Sequence, residues 1–218
     1  MEFRSVNLND VWYLIKAARY TIILTAIGFA GGMVLGIIIS IFRTTKKLKI
    51  FNYLAGLYVE FFRGTPILIQ MFMFFYGIAI LFKFRVPPLI AASTSLIFWT
   101  ASNIGESLAG IINSIPKSQW EASSSLGLSY IQQLRYVILP QTFRTALPPI
   151  VGILIMLIKA TSLASIVGFL ELTRAGVQIM GSTMNPVTVF PIVAAIYFII
   201  CYPLSLYSNR LELKLQKK

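Results

Sequence analysis

Ile115-Pro116-Lys117-Ser118-Gln119-Trp120-Glu121-Ala122-Ser123-Ser124-Ser125-Leu126-Gly127-Leu128-Ser129, running on to Leu139-Pro140, is a polar island in an otherwise apolar chain. Two helix starts are legible in it. Ser118 stands three residues before Glu121, and Ser129 three before Gln132. Both are capping-box spacings, in which a hydroxyl and a longer side chain satisfy each other's backbone N–H groups. Gly127 suits the left-handed turn that closes the first helix. Pro140 is expected to end the second, because it lacks an N–H to donate. The island reads as a short helix, a glycine elbow and a second short helix between two apolar spans.

The composition around the island sets the class. Of 218 residues, 57% are hydrophobic and 12% charged, and several uncharged runs are long enough to cross a bilayer. The chain reads as an all-α integral membrane protein. A net charge of +12 would suggest nucleic acid in a soluble protein. Here the basic residues sit at the ends of apolar runs, where anionic lipid and topology account for them. The chain has no histidine, and Cys201 is alone, so neither a histidine base nor a thiolate metal cluster is expected. No phosphate-binding Gly-x-x-x-x-Gly-Lys-[Ser/Thr] loop occurs. Residues 1–19, with Glu2, Arg4 and Asp10 early, are unlike a cleaved signal peptide and read as an interfacial helix.

Five spans are expected, at about 20–42, 57–82, 89–112, 146–170 and 187–207. Gly28, Gly31, Gly32 and Gly36 mark a close-packing seam on the first. The second apolar region, Ile50 to Phe82, would form a helix of about 50 Å against a core of about 30 Å. It is expected to break at Arg63-Gly64-Thr65-Pro66, with Glu60 one turn before and Gln70 one turn after. Glu60 and Arg63 have the i,i+3 spacing of an ion pair. The third span carries Thr100, Asn103, Glu106 and Ser107 at helical spacing, and an ionisable group inside a membrane is a functional candidate. The fourth holds Lys159, Thr161 and Ser162; Lys159 is expected to snorkel outward or pair with Glu171, with a substrate carboxylate as the third and less favoured partner. Pro191 and Pro203 should bend the fifth.

Glu121-Ala122-Ser123, Gly127 and Val137-Ile138-Leu139-Pro140 resemble the coupling loop of ABC importer permeases, with Ser123 where a second Ala is usual. Glu60-Phe61-Phe62-Arg63-Gly64-Thr65-Pro66-Ile67-Leu68-Ile69-Gln70 resembles the signature of the branch that takes up polar amino acids. Two further positions depart from the pattern: Ala109 replaces an arginine and Ala160 an acid. The likeness covers roughly residues 15–210 of a single permease domain, 1–218.

The resemblance implies a transport subunit in the cell membrane of a prokaryote, not an enzyme. It implies a second permease chain, identical or not, an extracytoplasmic amino-acid-binding protein, and a separate ABC ATPase that binds ATP and Mg. Ser118, Glu121, Ala122, Gly127 and Pro140 would couple to that ATPase. Glu60, Gln70, Thr100, Asn103, Glu106, Thr161 and Ser162 are the pathway candidates. The two acids favour a cationic substrate such as arginine, lysine or histidine. The competing readings are an ATP-independent carrier or channel, which the same buried charges would suit, and a membrane enzyme, which lacks a convincing nucleophile and base.

With the island inside, the inner side holds Arg43, Lys46, Lys47, Lys49, Lys117, Arg135, Arg144, Arg210, Lys214, Lys217 and Lys218. The outer side holds Arg4, Lys16, Arg19, Lys83, Arg85 and Arg174. The inner side is the richer, which puts the N-terminus outside and the C-terminus in the cytoplasm.

Overall fold

The computed structural model describes residues 4–45 and 49–216, without the side chains of Tyr130, Ile131 and Gln216. Lys46, Lys47, Lys217 and Lys218 of the inner basic group, and Glu2, lie outside the described residues. Every described element is helical.

Helix α1, Leu8–Thr44, opens on a capping box that the sequence reading did not name. The Asn7 side chain accepts from the Asp10 N–H at 3.1 Å, and the Asp10 carboxylate accepts from the Asn7 N–H at 3.0 Å. No proline or glycine interrupts residues 8–27, so the expected interfacial helix and first span are one 37-residue rod. Its glycines form the expected seam. A Cβ at Gly32 would lie 2.5 Å from Thr100 Cγ2, and one at Gly36 2.8 Å from Ile104. Gly105 answers from the other side, where a Cβ would meet Ile39 at 2.7 Å. The partner is α5, Pro88–Ser114, and the two helices form the largest interface in the fold.

The second apolar region breaks where expected. Helix α2, Lys49–Gly64, and the helical stretch Ile67–Phe82 are inclined at 104°. That stretch comprises α3, Ile67–Phe72, a π-helical turn at Met73–Gly77, and α4, Ile78–Phe82. Pro66 is extended, at ψ 130°, and caps α3. The expected span at 57–82 is therefore two rods meeting at an elbow.

By length and apolarity, Leu8–Thr44, Leu134–Ser165 and Pro186–Leu215 can cross a membrane, and the bent pair makes a fourth. Helix α5 is long enough, at 27 residues, but more polar. Its buried face includes Ser93, Ser95, Thr100 and Ser102, which meet protein rather than lipid.

The polar island differs from its reading in two places. Helix α6, Lys117–Ser125, starts two residues earlier than expected, with Pro116 as its cap in place of Ser118. Ser118 thus lies inside the helix, and no Ser118–Glu121 box forms; proline's fixed φ already sets the helix start. Gly127 takes φ 75°, as expected. The Ser129–Gln132 box is present, with Ser129 N–H donating to Gln132 Oε1 at 2.8 Å. It opens the short helix α7, Tyr130–Gln133. Pro140 does not end that helix. A π-helical turn at Leu134–Ile138 leads directly into α8, Leu139–Ala160, with Pro140 in the first turn, where its missing N–H costs least.

Beyond α8, a 3₁₀ turn at Thr161–Ser165 and a glycine turn at Gly168, φ 88°, reach α9, Leu172–Thr183. Helix α10, Pro186–Gln216, passes through Pro191 and Pro203 as one element. Leu14 and Ala17 of α1 pack on Leu172, Ile179, Val189 and Val193. Leu24 packs on Met71, Leu96 and Leu157.

Candidate functional site

Glu106 sits two turns from the end of α5, and its partners come from two other helices. Arg43, in the last turn of α1, donates from Nη2 to Glu106 Oε2 at 2.7 Å. Arg63, in the last turn of α2, holds Nη1 at 3.9 Å from Glu106 Oε1. The expected Glu60–Arg63 pair is absent: Arg63 leans to α5 instead, and exposed Glu60 forms no ion pair with a described residue. Cross-helix pairing wins because Glu106, a half-buried carboxylate within the bundle, needs a counter-ion more than the exposed Glu60 does. The sequence reading placed Arg43 only among the basic flanks. The signal for more was Glu106 itself, an acid near the C-terminal end of a long helix without a local partner.

Gln70 is buried and works as a brace. Its Nε2 lies 2.9 Å from Phe62 O, 3.0 Å from Thr65 O and 2.9 Å from Thr65 Oγ1. The two carbonyls are ones that the broken helix leaves without N–H partners. Its Oε1 is buried without a described partner. Beside it a cavity of about 230 Å³ opens in the elbow, lined by Phe61, Phe62, Met73, Phe74 and Leu81.

The other candidates are dispersed. Thr100 is buried against the glycine seam. Asn103, half-buried, donates to Trp99 O in its own helix at 2.8 Å. Thr161 is buried and donates to Ile158 O, at 2.6 Å. Ser162 donates to Lys159 O at 2.7 Å and lines a cavity of about 540 Å³ between α8 and α10, with Lys159, Tyr197, Cys201 and Tyr202. Lys159 does not pair with Glu171. The Glu171 carboxylate instead accepts from the backbone N–H groups of Thr173 and Arg174, at 2.9 and 2.7 Å, and from Tyr197 OH, at 2.9 Å. It caps α9 and is fully buried.

On the polar island, Ser118, Glu121 and Ala122 are exposed on α6, while Ser123 is buried and donates to Trp120 O at 2.9 Å. Leu126 follows, 80% exposed.

Residues 32–216 match the family described as the binding-protein-dependent transport system inner membrane component. The chain belongs to that family, the permease subunits of amino-acid ABC transporters. The match takes in the elbow, the Glu106 cluster and the whole polar island. The permease is 39% identical to the probable amino-acid ABC transporter permease protein YckA of Bacillus subtilis, over 93% of this chain and 88% of that one. It is 35% identical to the glutamine transport system permease protein GlnP of Escherichia coli, over 93% of both. It is 37% identical to the L-cystine transport system permease protein TcyB of B. subtilis, over 91% of this chain and 84% of that one. Among solved structures it superposes on an amino acid ABC transporter, crystallised with histidines, with a TM-score of 0.89. The identity there is 26%, over 97% of this chain and all of the other. The MetNI methionine ABC transporter in an inward-facing conformation shares the fold, with a TM-score of 0.80 at 21% identity. The family is one of transport subunits rather than catalysts. The permease's apolar helices suit a multi-pass inner-membrane protein.

Proposed function

We propose that this permease is a membrane-spanning half of an ATP-driven importer of polar amino acids. A second permease chain completes the pathway, an extracytoplasmic binding protein delivers the substrate, and a separate ATPase binds ATP and Mg. The observation that carries the coupling role is the exposed α6 helix. It presents Ser118, Glu121 and Ala122 on a short element held by Pro116 at one end and Gly127 at the other. A rigid exposed element between α5 and the helix leading into α8 can pass a partner's closure to both. In this reading α5, sheltered among its neighbours, is the third of five spans despite its polarity. The polar island is cytoplasmic, the N-terminus is outside, and residues 1–218 form one domain.

The substrate class follows from relatives named for glutamine and cystine, together with the elbow signature. Glu60, Asn103, Glu106 and Ser162 are the pathway candidates with exposed or half-buried side chains. Gln70, Thr100 and Thr161 support them from buried positions. Any preference for arginine, lysine or histidine rests on Glu60, since Glu106 is already neutralised by Arg43. Glu60→Gln should then weaken cationic uptake more than neutral uptake; equal losses would remove the cationic preference.

The coupling test is a pull-down of tagged full-length chain from mildly solubilised membranes, assayed for ATP hydrolysis, with and without Glu121→Lys. The expected result is a co-purifying ATPase that the substitution releases. If no ATPase activity accompanies either version, the ATP-driven reading gives way to an independent carrier.

A further inference from the structure

Arg63 is the member of the Glu106 cluster whose guanidinium makes no hydrogen bond to a described residue, whereas Arg43 bonds Glu106 through Nη2 and leaves its buried Nε without a described partner. Glu106 Oε2 is taken by Arg43 at 2.7 Å, within the range of a charge-assisted hydrogen bond. Oε1 is 3.9 Å from Arg63, beyond that range, and Arg63 donates no hydrogen bond to a described residue. Two guanidinium groups face one carboxylate, which leaves the cluster with a net positive charge. The accessible surplus is at Arg63, because Arg43 already bonds Glu106 and is the more buried: its side chain is 26% exposed against 45% for Arg63. A guanidinium is a rigid fork matched to a carboxylate. Glu106 fixes where that fork stands without using it up.

The elbow supplies the complementary sign. Glu60 lies three residues before Arg63 on α2, is exposed and makes no ion pair with a described residue. At i,i+3 the two Cβ atoms are about 5–6 Å apart, so pairing was open to them. Instead an acid and a base at one helix end are both left with free capacity. An α-amino acid carries an ammonium and a carboxylate on the same carbon. It matches this arrangement whatever its side chain.

We infer that Arg63 is the ligand for the α-carboxylate of the transported amino acid, with Glu106 and Arg43 as the positioning residues that aim it. The inference rests on the import reading above and deepens it, by assigning a binding site that recognises what all amino acids share. An anionic lipid headgroup offers Arg63 the same oxygen chemistry and is distinguished below.

The test uses the full-length chain with its co-purifying subunits in nanodiscs of phosphatidylcholine, without binding protein. Binding of tritiated L-glutamine and L-arginine is measured, with each free amino acid and its α-amide as competitors. In the unaltered complex the amide should compete at least about tenfold more weakly. Arg63→Gln should weaken amino-acid binding about tenfold to hundredfold, the range for a lost charged hydrogen-bond pair, and bring acid and amide to the same level. Arg63→Lys keeps the charge and the fold but loses the fork, so its acid-to-amide ratio should fall between the two. Either variant binding with the unaltered ratio overturns the inference. So does an unaltered complex that binds neither amino acid yet transports once binding protein is supplied. If Arg63→Gln spares amino-acid binding and only loses retained phosphatidylglycerol, the site serves a lipid phosphate and the inference falls. If the unaltered complex neither binds nor imports amino acids under ATP, the import reading itself fails and takes this inference with it.

Discussion

Arg43 and Glu106, 63 positions apart in sequence, meet at 2.7 Å and tie the C-terminal ends of α1 and α5 together. They close the same interface that the glycine seam builds higher up, so one helix pair is held by shape along its length and by charge at its end.

That pair is half-buried, so its contribution should be modest, roughly 0.5–1 kcal/mol. Glu106→Gln should cost more than Arg43→Gln, because it strands two arginines, whereas the loss of Arg43 leaves Arg63 able to move in. A double-mutant cycle on thermal unfolding in detergent measures this. Simple additivity of the two substitutions would show that the residues do not interact.

Gly32→Ala should be among the most disruptive small substitutions in the chain. The new methyl would lie 2.5 Å from Thr100 Cγ2 and 3.3 Å from the Ala101 backbone nitrogen, and a packed helix pair can yield only by separating. About 1–3 kcal/mol of destabilisation is expected. Gly152→Ala is the control: nothing lies within 4 Å of its Cβ. It should be neutral, or stabilising by up to about 1 kcal/mol, from helix propensity. Equal effects at both positions would refute the seam.

Gln70→Leu should loosen the elbow. It removes the amide that serves Phe62 O and Thr65 O and leaves both carbonyls without that donor. The expected cost is about 1–3 kcal/mol. Spin labels at the exposed positions Leu57 and Ile80 report the angle directly. A broadened distance distribution in Gln70→Leu is the expected outcome; an unchanged narrow one would mean Pro66 alone sets the bend.

The N-terminal clasp should fail in acid. Arg4 donates to both Asp10 oxygens at 2.6 Å, ahead of the apolar run that begins at Tyr20. The Arg4 hydrogen bonds, helped by the Asn7 N–H and opposed by desolvation, hold the Asp10 carboxyl below its ordinary value of 3.8. A depressed carboxylate stabilises the folded end at pH above that value and ceases to do so as pH falls through its lowered folded value. Protection of the amides of residues 4–14, taken as the observed exchange rate against the intrinsic rate at each pH, should therefore be flat from neutral pH down to about pH 4 and fall below it. Asp10→Asn should show faster exchange at neutral pH and no further acid step.

Much of this could be read from the chain alone, because it depends on local stereochemistry. Pro66 after Gly64 breaks a helix whatever surrounds it, and the elbow appears there. Gly127 takes the left-handed turn, and Ser129 pairs with Gln132, because those choices involve only near neighbours. The glycines of α1 promised a close approach, and α5 supplies it.

The misses have the same root. Pro140 looked like a stop, but a π-helical turn before it absorbs the missing donor, and the chain continues into α8. Ser118 had the right spacing for a cap, yet Pro116 fixed the helix start two residues sooner.

What tertiary structure alone decided is which charges and donors meet. Sequence spacing offered Arg63 to Glu60 and Lys159 to Glu171. The fold gives Arg63 and Arg43 to Glu106, and gives Glu171 to Tyr197 and the start of α9. An ion pair forms where burial makes an unpaired charge most costly, and burial depends on how distant helices pack. The sequence by itself determined the helices, their breaks and the family; packing determined the site.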